Sequence, residues 1–454
     1  MSSHIVQSIS PARKPSVRTV VLASVLGTTI EWYDFLLYGT AAALIFNRLF
    51  FPTFDPLVGT LFAFSTYAVG FIARPVGGII FGHYGDRLGR KSMLILTMLI
   101  MGLGTFLIGA MPTYATIGVW APILLVTLRF LQGLGIGGEW GGAVLMAVEF
   151  APPGRRGLYG SLVQVGFPLG LVLSTAIFAV FTRMPDAQFI AWGWRIPFLL
   201  SIVLVVIGLF VRLRLAETPA FAAIKADHRE ARMPIAEVLI GYRRNLLIAL
   251  GVRVTEVSWV YILTVFVIVY ATKHLGLPRS MILNGILLAA VIELFTVPIF
   301  GALSDRIGRR PIYFAGAALA ALIAFPLFWL IDTRQTGLIW LAVILGLSIG
   351  HGMMYGPQAS FLSELFGTRV RYSGVSLGCQ LSAAIGGGFS PIIATALLAW
   401  AGAPWAVSLF MAGLAVITII AVSLARETAQ TGLTEAPVQQ EEQSPTPLTH
   451  VNVT

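Results

Sequence analysis

Cysteine and charge are both scarce in this chain. Its one cysteine, Cys379, cannot close a disulfide within the chain, which excludes an oxidised, disulfide-stapled scaffold and a cysteine-based zinc site. Charged residues are 11% of the 454, less than half the share usual in soluble domains, while 57% are hydrophobic. A water-soluble fold cannot hide that much apolar surface. A long polar domain is missing too: the largest internal polar segment, about Arg212 to Arg244, is too short for an ATP site. No apolar stretch carries a nucleophile with its base, or a cluster of metal ligands, so no enzyme chemistry, cofactor or metal is expected.

The formal charge is +10, which in a soluble protein would point to nucleic acid. Here long apolar runs divide the basic residues into short clusters, the pattern by which membrane proteins orient themselves. The expected surroundings are therefore a lipid bilayer and not nucleic acid.

About 20 apolar residues cross a bilayer as a helix. Stretches of that kind fall near Val20–Leu44, Val58–Phe81, Ser92–Met111, Ile123–Val148, Leu158–Phe181, Ile196–Val211, Leu246–Tyr270, Met281–Leu303, Ile312–Ile331, Leu338–Leu362, Ser373–Trp400 and Pro404–Leu424. The expectation is an all-α integral membrane protein with twelve transmembrane helices in two six-helix bundles. Residues 1–18 are read as a polar N-terminal segment followed by an uncleaved first span, 19–212 as the first bundle, 213–244 as a loop between bundles, 245–426 as the second bundle, and 427–454 as a disordered tail rich in Gln, Glu, Pro and Thr. Of the 30 basic residues, 21 fall on one side of these spans, 6 on the other, and Arg74, Arg129 and Arg253 inside them. That bias predicts both termini in the cytoplasm.

The two halves echo each other. Gly82-His-Tyr-Gly-Asp86-Arg87-Leu-Gly89-Arg90-Lys91 returns 219 positions later as Gly301-Ala-Leu-Ser-Asp305-Arg306-Ile-Gly308-Arg309-Arg310. Glu149 and Arg156 return 215 positions later as Glu364 and Arg371. Glycines permit a sharp turn, an aspartate can accept bonds from a neighbouring helix N-terminus, and arginines bind carboxylates. Positive charge at a membrane face needs neither the aspartates nor the glycines, so the set Asp86, Arg87, Arg90, Lys91, Glu149, Arg156, Asp305, Arg306, Arg309, Arg310, Glu364 and Arg371 is read as a cytoplasmic gate. Two related halves place a substrate site between them near the midplane.

These loops, with Arg129-Phe-Leu-Gln132-Gly133-Leu-Gly-Ile-Gly137, resemble the signature motifs of the major facilitator superfamily. Glu31-Trp32-Tyr33-Asp34-Phe35-Leu-Leu-Tyr38-Gly39, Gly137-Gly138-Glu139-Trp140-Gly141-Gly142, Trp194-Arg195-Ile196-Pro197-Phe198, Glu217-Thr218-Pro219 and Glu364-Leu-Phe-Gly-Thr-Arg369-Val-Arg371-Tyr-Ser-Gly374 are similar to its metabolite:proton symporter branch. The resemblance spans about Arg18 to Glu427. It implies the major facilitator fold, a bacterial inner-membrane location, and proton-driven uptake.

Charges inside the membrane cost at least ~2.5–3.5 kcal/mol each, so each requires a partner or a use. Glu31 and Asp34 share a face of the first span. The resemblance implies that Asp34 binds the proton and that Arg129 is its counter-charge, with Glu31 and Glu139 as further proton-coupling candidates. Arg253 and Glu256 share a face of span seven, where the arginine could anchor a substrate carboxylate or simply neutralise the glutamate. His351, Tyr355 and Gln358 form a polar stripe on span ten, and Gln164 and Gln380 add hydrogen-bonding groups from spans five and eleven. Those seven residues are the substrate-binding candidates. Arg74 and Glu293 occupy matching places 219 apart with opposite charge, for which the sequence alone offers no account.

Gly133-x-Gly135-x-x-Gly138 matches a dinucleotide fingerprint on paper but has no preceding strand; Gly133, Gly137 and Gly141 instead recur as helix contacts demand. The expected function is proton-coupled symport of a small organic acid, a shikimate-like carboxylate being favoured. A di- or tricarboxylate, or a zwitterionic osmolyte such as betaine or proline, is the alternative; drug/proton antiport and a non-transporting sensor are weaker readings. A monomer suffices for this architecture.

Overall fold

The computed structural model describes residues 17–54, 56–213 and 233–429. The N-terminal segment to residue 16, the Glu217-Thr218-Pro219 motif, most of the loop between bundles and the tail beyond residue 429 lie outside the described residues. Within them every regular element is helical. In hydrocarbon only a helix or a closed barrel satisfies all backbone polar groups, and apolar runs of this length dictate the helix.

All twelve expected spans are helices: α1 (Val17–Leu44), α2 (Pro56–Leu88), α3 (Arg90–Ala110), α4 (Trp120–Phe150), α5 (Arg156–Phe178), α6 (Asp186–Leu213), α7 (Arg243–His274), α8 (Arg279–Ile307), α9 (Arg309–Asp332), α10 (Thr336–Glu364), α11 (Arg371–Ala401) and α12 (Trp405–Leu424). Eleven are apolar enough to cross a membrane on length and composition alone. The other, α2, has 33 residues and carries Arg74 within it.

Two expectations need correction. The sixth span, read as Ile196–Val211, begins ten residues earlier at Asp186 and passes through a π-helical stretch, Phe189–Gly193. Arg195 interrupts the apolar run without ending the helix, because its Nη1 donates to the Gly109 and Met111 carbonyls at the end of α3, at 2.7 and 2.6 Å. The two repeated motifs are also not loops. α2 continues to Leu88 and α8 to Ile307, so Asp86 and Asp305 ride on the last helical turns. Each turn is one residue, Gly89 with φ 115° and Gly308 with φ 114°, a region that side chains with a Cβ rarely enter.

In the first half α2 and α3 lie on α4 and α1 lies on α5; in the second, α7 and α9 lie on α12. The halves meet where α2 crosses α11 and where α5 lies against α8 and α10. The glycine spacing of α4 serves the α2–α4 crossing: a Cβ on Gly133 would run into the Gly70 carbonyl, and one on Gly137 into the Arg74 carbonyl.

Candidate functional site

On the face that carries the repeated motifs, the halves are fastened by two matched sets of bonds. Asp86 of α2 accepts the backbone N–H groups of Tyr372 and Ser373, at 3.2 and 2.8 Å, and so caps α11 of the opposite half. Asp305 of α8 accepts those of Gly157 and Leu158, at 2.7 and 2.9 Å, and caps α5 of the first half. A carboxylate at a helix N-terminus satisfies orphan donors and meets the positive end of the dipole. Glu149 is paired with Arg90 of its own half and with Arg371 of the other at 2.9 Å. Its counterpart Glu364 pairs with Arg309 of its own half at 3.2 Å and with Arg156 across the boundary at 3.9 Å.

Four of the expected gate residues stand apart from this latch. Arg87 and Arg306 are exposed. Lys91 donates to the Leu213 carbonyl at the end of α6, and Arg310 to the Val422 and Ser423 carbonyls at the end of α12. Both are C-terminal caps within one half. The sequence could not separate them from their neighbours because all lie in one basic run. It also missed Glu427, whose carboxylate accepts the backbone N–H groups of Arg309 and Arg310 at 2.9 and 3.0 Å, and Thr428, whose hydroxyl donates to Glu364 at 2.6 Å.

Between the halves is a cavity of about 310 Å³, lined by Trp32, Arg74, Phe167, Arg253, Glu256, Val257, Val260, Tyr261, His351 and Tyr355. Its wall is aromatic, with Trp32 edge-on to Phe167 at 4.8 Å and Phe71 edge-on to Tyr261 at 5.4 Å. Several polar atoms in this wall are buried without a hydrogen-bond partner: Trp32 Nε1, Arg74 Nε, Arg253 Nε and Nη1, and the hydroxyls of Tyr261 and Tyr355. Buried polar groups are ordinarily satisfied. These donors line one space between the halves.

Arg74 is a residue that sequence reasoning left unexplained. Its guanidinium lies over Phe35 and Phe71, at 4.3 and 4.5 Å, and it pairs with no carboxylate among the described residues. Arg253 has its Nε 3.6 Å from Glu256 and its guanidinium over Trp140 at 4.7 Å. Both readings of Arg253 therefore describe it: it lines the cavity and it is neutralised by Glu256.

From the wall a continuous polar chain runs into the protein. Glu256 faces His351 Nε2 at 3.1 Å, and His351 Nδ1 faces Glu293 at 2.5 Å. Gln358 donates to Glu256 at 2.6 Å, Gln164 donates to Gln358 at 3.4 Å across the boundary between halves, and Trp140 donates to Gln164 at 2.8 Å. Gln164 and Gln358 support the cavity from behind and do not line it. Gln380 belongs to neither group; it donates to the Ile136 carbonyl at 3.4 Å and ties α11 to α4.

The proton-coupling candidates divide as well. Asp34 is 1% exposed, and neither carboxylate oxygen has a hydrogen-bond partner. Arg129 acts on Asp34 electrostatically, and its guanidinium lies over Tyr38 and Phe35, at 4.2 and 4.7 Å, and donates to Gln132. Gln132 in turn is held by the Thr105 hydroxyl at 2.8 Å, which fixes the arginine beside the rings. Glu139 is committed elsewhere. It accepts from Arg212 of α6 and from Thr97 at 2.7 Å, and it does not reach the cavity. Arg212, counted from sequence among the charges of the membrane face, is 2% exposed and belongs to this internal pair. Glu31 is buried with Oε2 unpartnered, under the electrostatic influence of Arg74, Arg212 and Arg253.

The sequence profile of the Major Facilitator Superfamily matches residues 24–384. The chain belongs to that superfamily. Among superfamily members, the Shikimate transporter of Escherichia coli (strain K12) is 46% identical over 393 residues, covering 86% of this chain and 89% of the relative. The Proline/betaine transporter of the same organism is 36% identical over 395 residues, covering 84% and 78%. The solved structure of the superfamily's proton:xylose symporter XylE bound to 6-bromo-6-deoxy-D-glucose superposes with a TM-score of 0.74 at 18% identity, covering 92% of this chain and 98% of that one. At that identity the likeness speaks for the superfamily fold alone. The protein is a multi-pass membrane transporter of the superfamily, moving a solute rather than transforming one.

Proposed function

We propose that this transporter imports a small organic acid together with protons across a bacterial inner membrane, with both termini and the latch on the cytoplasmic side. The observation that carries the reading is the pair of guanidiniums, Arg74 and Arg253, facing one cavity from opposite halves. A carboxylate placed between them would draw the halves together and satisfy the donors of Trp32, Tyr261 and Tyr355. Because Glu256 offsets Arg253, Arg74 is the guanidinium left without a direct ion pair among the described residues, which favours a monocarboxylate over a di- or tricarboxylate. The aromatic wall suits a flat hydroxylated ring, and the similarity to a shikimate transporter points the same way.

Asp34 is the proposed carrier of the coupled proton. A buried carboxylate is costly as an anion, so its proton occupancy responds to how closely Arg129 and water approach it. Proton and anion enter from outside, the outer side closes, and the Asp86, Asp305, Glu149 and Glu364 bonds part to release both. One proton with a monoanion moves no net charge and draws about 1.4 kcal/mol per pH unit.

A zwitterionic osmolyte is the second reading, favoured by Glu31 and Glu256 lying close to the guanidiniums beside an aromatic wall that could face a cationic nitrogen. Uptake of labelled shikimate into proteoliposomes under an inward proton gradient separates the two. Uptake abolished by a protonophore and competed by organic acids supports the proposal. Absence of shikimate uptake, or competition by betaine alone, overturns the choice of substrate.

A further inference from the structure

His351 sits between two carboxylates. Its Nδ1 is 2.5 Å from Glu293 Oε1 and its Nε2 is 3.1 Å from Glu256 Oε1, with all three residues at most 3% exposed. Two such bridges need two protons among three groups. A neutral imidazole supplies one, on whichever nitrogen carries it, and its other nitrogen then faces an oxygen that must bring its own proton. Both bridges are made only when the trio holds one proton beyond a neutral histidine and two ionised carboxylates. Releasing that proton sets lone pair against lone pair across one bridge.

The surroundings tie this proton to the cavity. Glu256 is also bound by Arg253 at 3.6 Å and by the Gln358 amide at 2.6 Å; Tyr355 is stacked on the imidazole at 4.8 Å, and the Tyr313 hydroxyl meets the same Gln358 amide at 3.2 Å. From α11 Cys379 lies beside Arg253, and from α1 Glu31 acts on Tyr355. With the extra proton, the trio and Arg253 together carry no net charge. Without it they carry one negative charge, next to the space where an anion would bind. Glu293 Oε2 has no hydrogen-bond partner, so the trio has a free oxygen at its far end.

We propose that Glu293, His351 and Glu256 form a second proton-binding site, in the second half, which is filled when a substrate anion occupies the cavity, so that two protons accompany one carboxylate. An anion at Arg253 competes with Glu256 for the guanidinium and disfavours the negative state of the trio, and by linkage a filled trio favours the anion. The inference rests on the symport reading above and adds to it a net inward positive charge.

The test uses proteoliposomes holding wild type, Glu293→Gln or Asp34→Asn, with shikimate as probe, at equal pH on both sides and a potassium diffusion potential set by valinomycin. Wild type should accumulate shikimate about tenfold or more when the interior is negative. Glu293→Gln should lose that response while keeping uptake driven by a pH gradient. Wild-type accumulation indifferent to potential, or a Glu293→Gln response equal to wild type, overturns the second site while leaving the symport reading intact. Should wild type take up no shikimate, the substrate reading fails instead. The trio is then judged without ligand, by infrared difference spectroscopy of the purified protein after a pH step. Imidazole and carboxyl bands altered in both Glu293→Gln and His351→Gln support the site, and bands identical to wild type in both overturn it.

Discussion

Asp86 accepts the backbone N–H of Tyr372 at 3.2 Å across 286 positions of sequence, and so joins the last turn of α2 to the first turn of α11. Asp305 repeats the relationship with Gly157 in the opposite direction. Each bond holds only while the halves are together on this face. Asp86→Asn and Asp305→Asn weaken a charged cap by about 1 kcal/mol each. Spin labels across the latch should report a larger separated population in each variant and a larger one still in the double variant. Distances unchanged in both would mean that the caps do not hold the halves together.

Gly89 and Gly308 hold φ near 115°, and alanine there should destabilise the protein by about 1–2 kcal/mol at each site. Thermal unfolding in detergent measures it. Alanine at Gly413, which has open space around it, is the control.

Arg74→Gln should raise the half-saturation concentration for transport about 10- to 100-fold, the effect of losing one hydrogen-bonded charge from a carboxylate site. Folded yield should hardly change, because Arg74 makes no direct ion pair with a carboxylate among the described residues. Unaltered half-saturation would remove Arg74 from the binding site.

Asp34→Asn should abolish concentrative uptake while leaving substrate binding within a few-fold of wild type, as read by equilibrium binding to purified protein. Full accumulation by the variant would take Asp34 out of the coupling mechanism.

Glu139→Gln should lower stability by about 3–5 kcal/mol, since it strands Arg212 in the interior. The double variant Glu139→Gln with Arg212→Met should recover much of that loss and still transport. Proton-driven uptake that fails in a well-folded double variant would return Glu139 to the coupling residues.

The fold is largely legible because the bilayer imposes a single length rule on every span, and the repeat marks out the residues that join the halves on one face. Asp86, Asp305, Glu149 and Glu364 could be picked out since both copies keep the residue type and the spacing. What stayed hidden was pairing between helices distant in sequence. Arg212 reads as one more basic residue at a membrane face until Glu139 is seen beside it, and nothing in the sequence places the rings of Tyr38 and Phe35 under the Arg129 guanidinium. Arg74 and Glu293 were conspicuous as a matched position with opposed charges. Their use became clear only when the cavity showed Arg74 on its wall and His351 bridging Glu293 to it.

That opposition has a further meaning for how such a chain arises. A protein made of two copies of the first half would offer two guanidiniums at this position, and one made of two copies of the second would offer two acids. Divergence of the two copies at this one place puts a base on the cavity wall and an acid behind His351, which lines it.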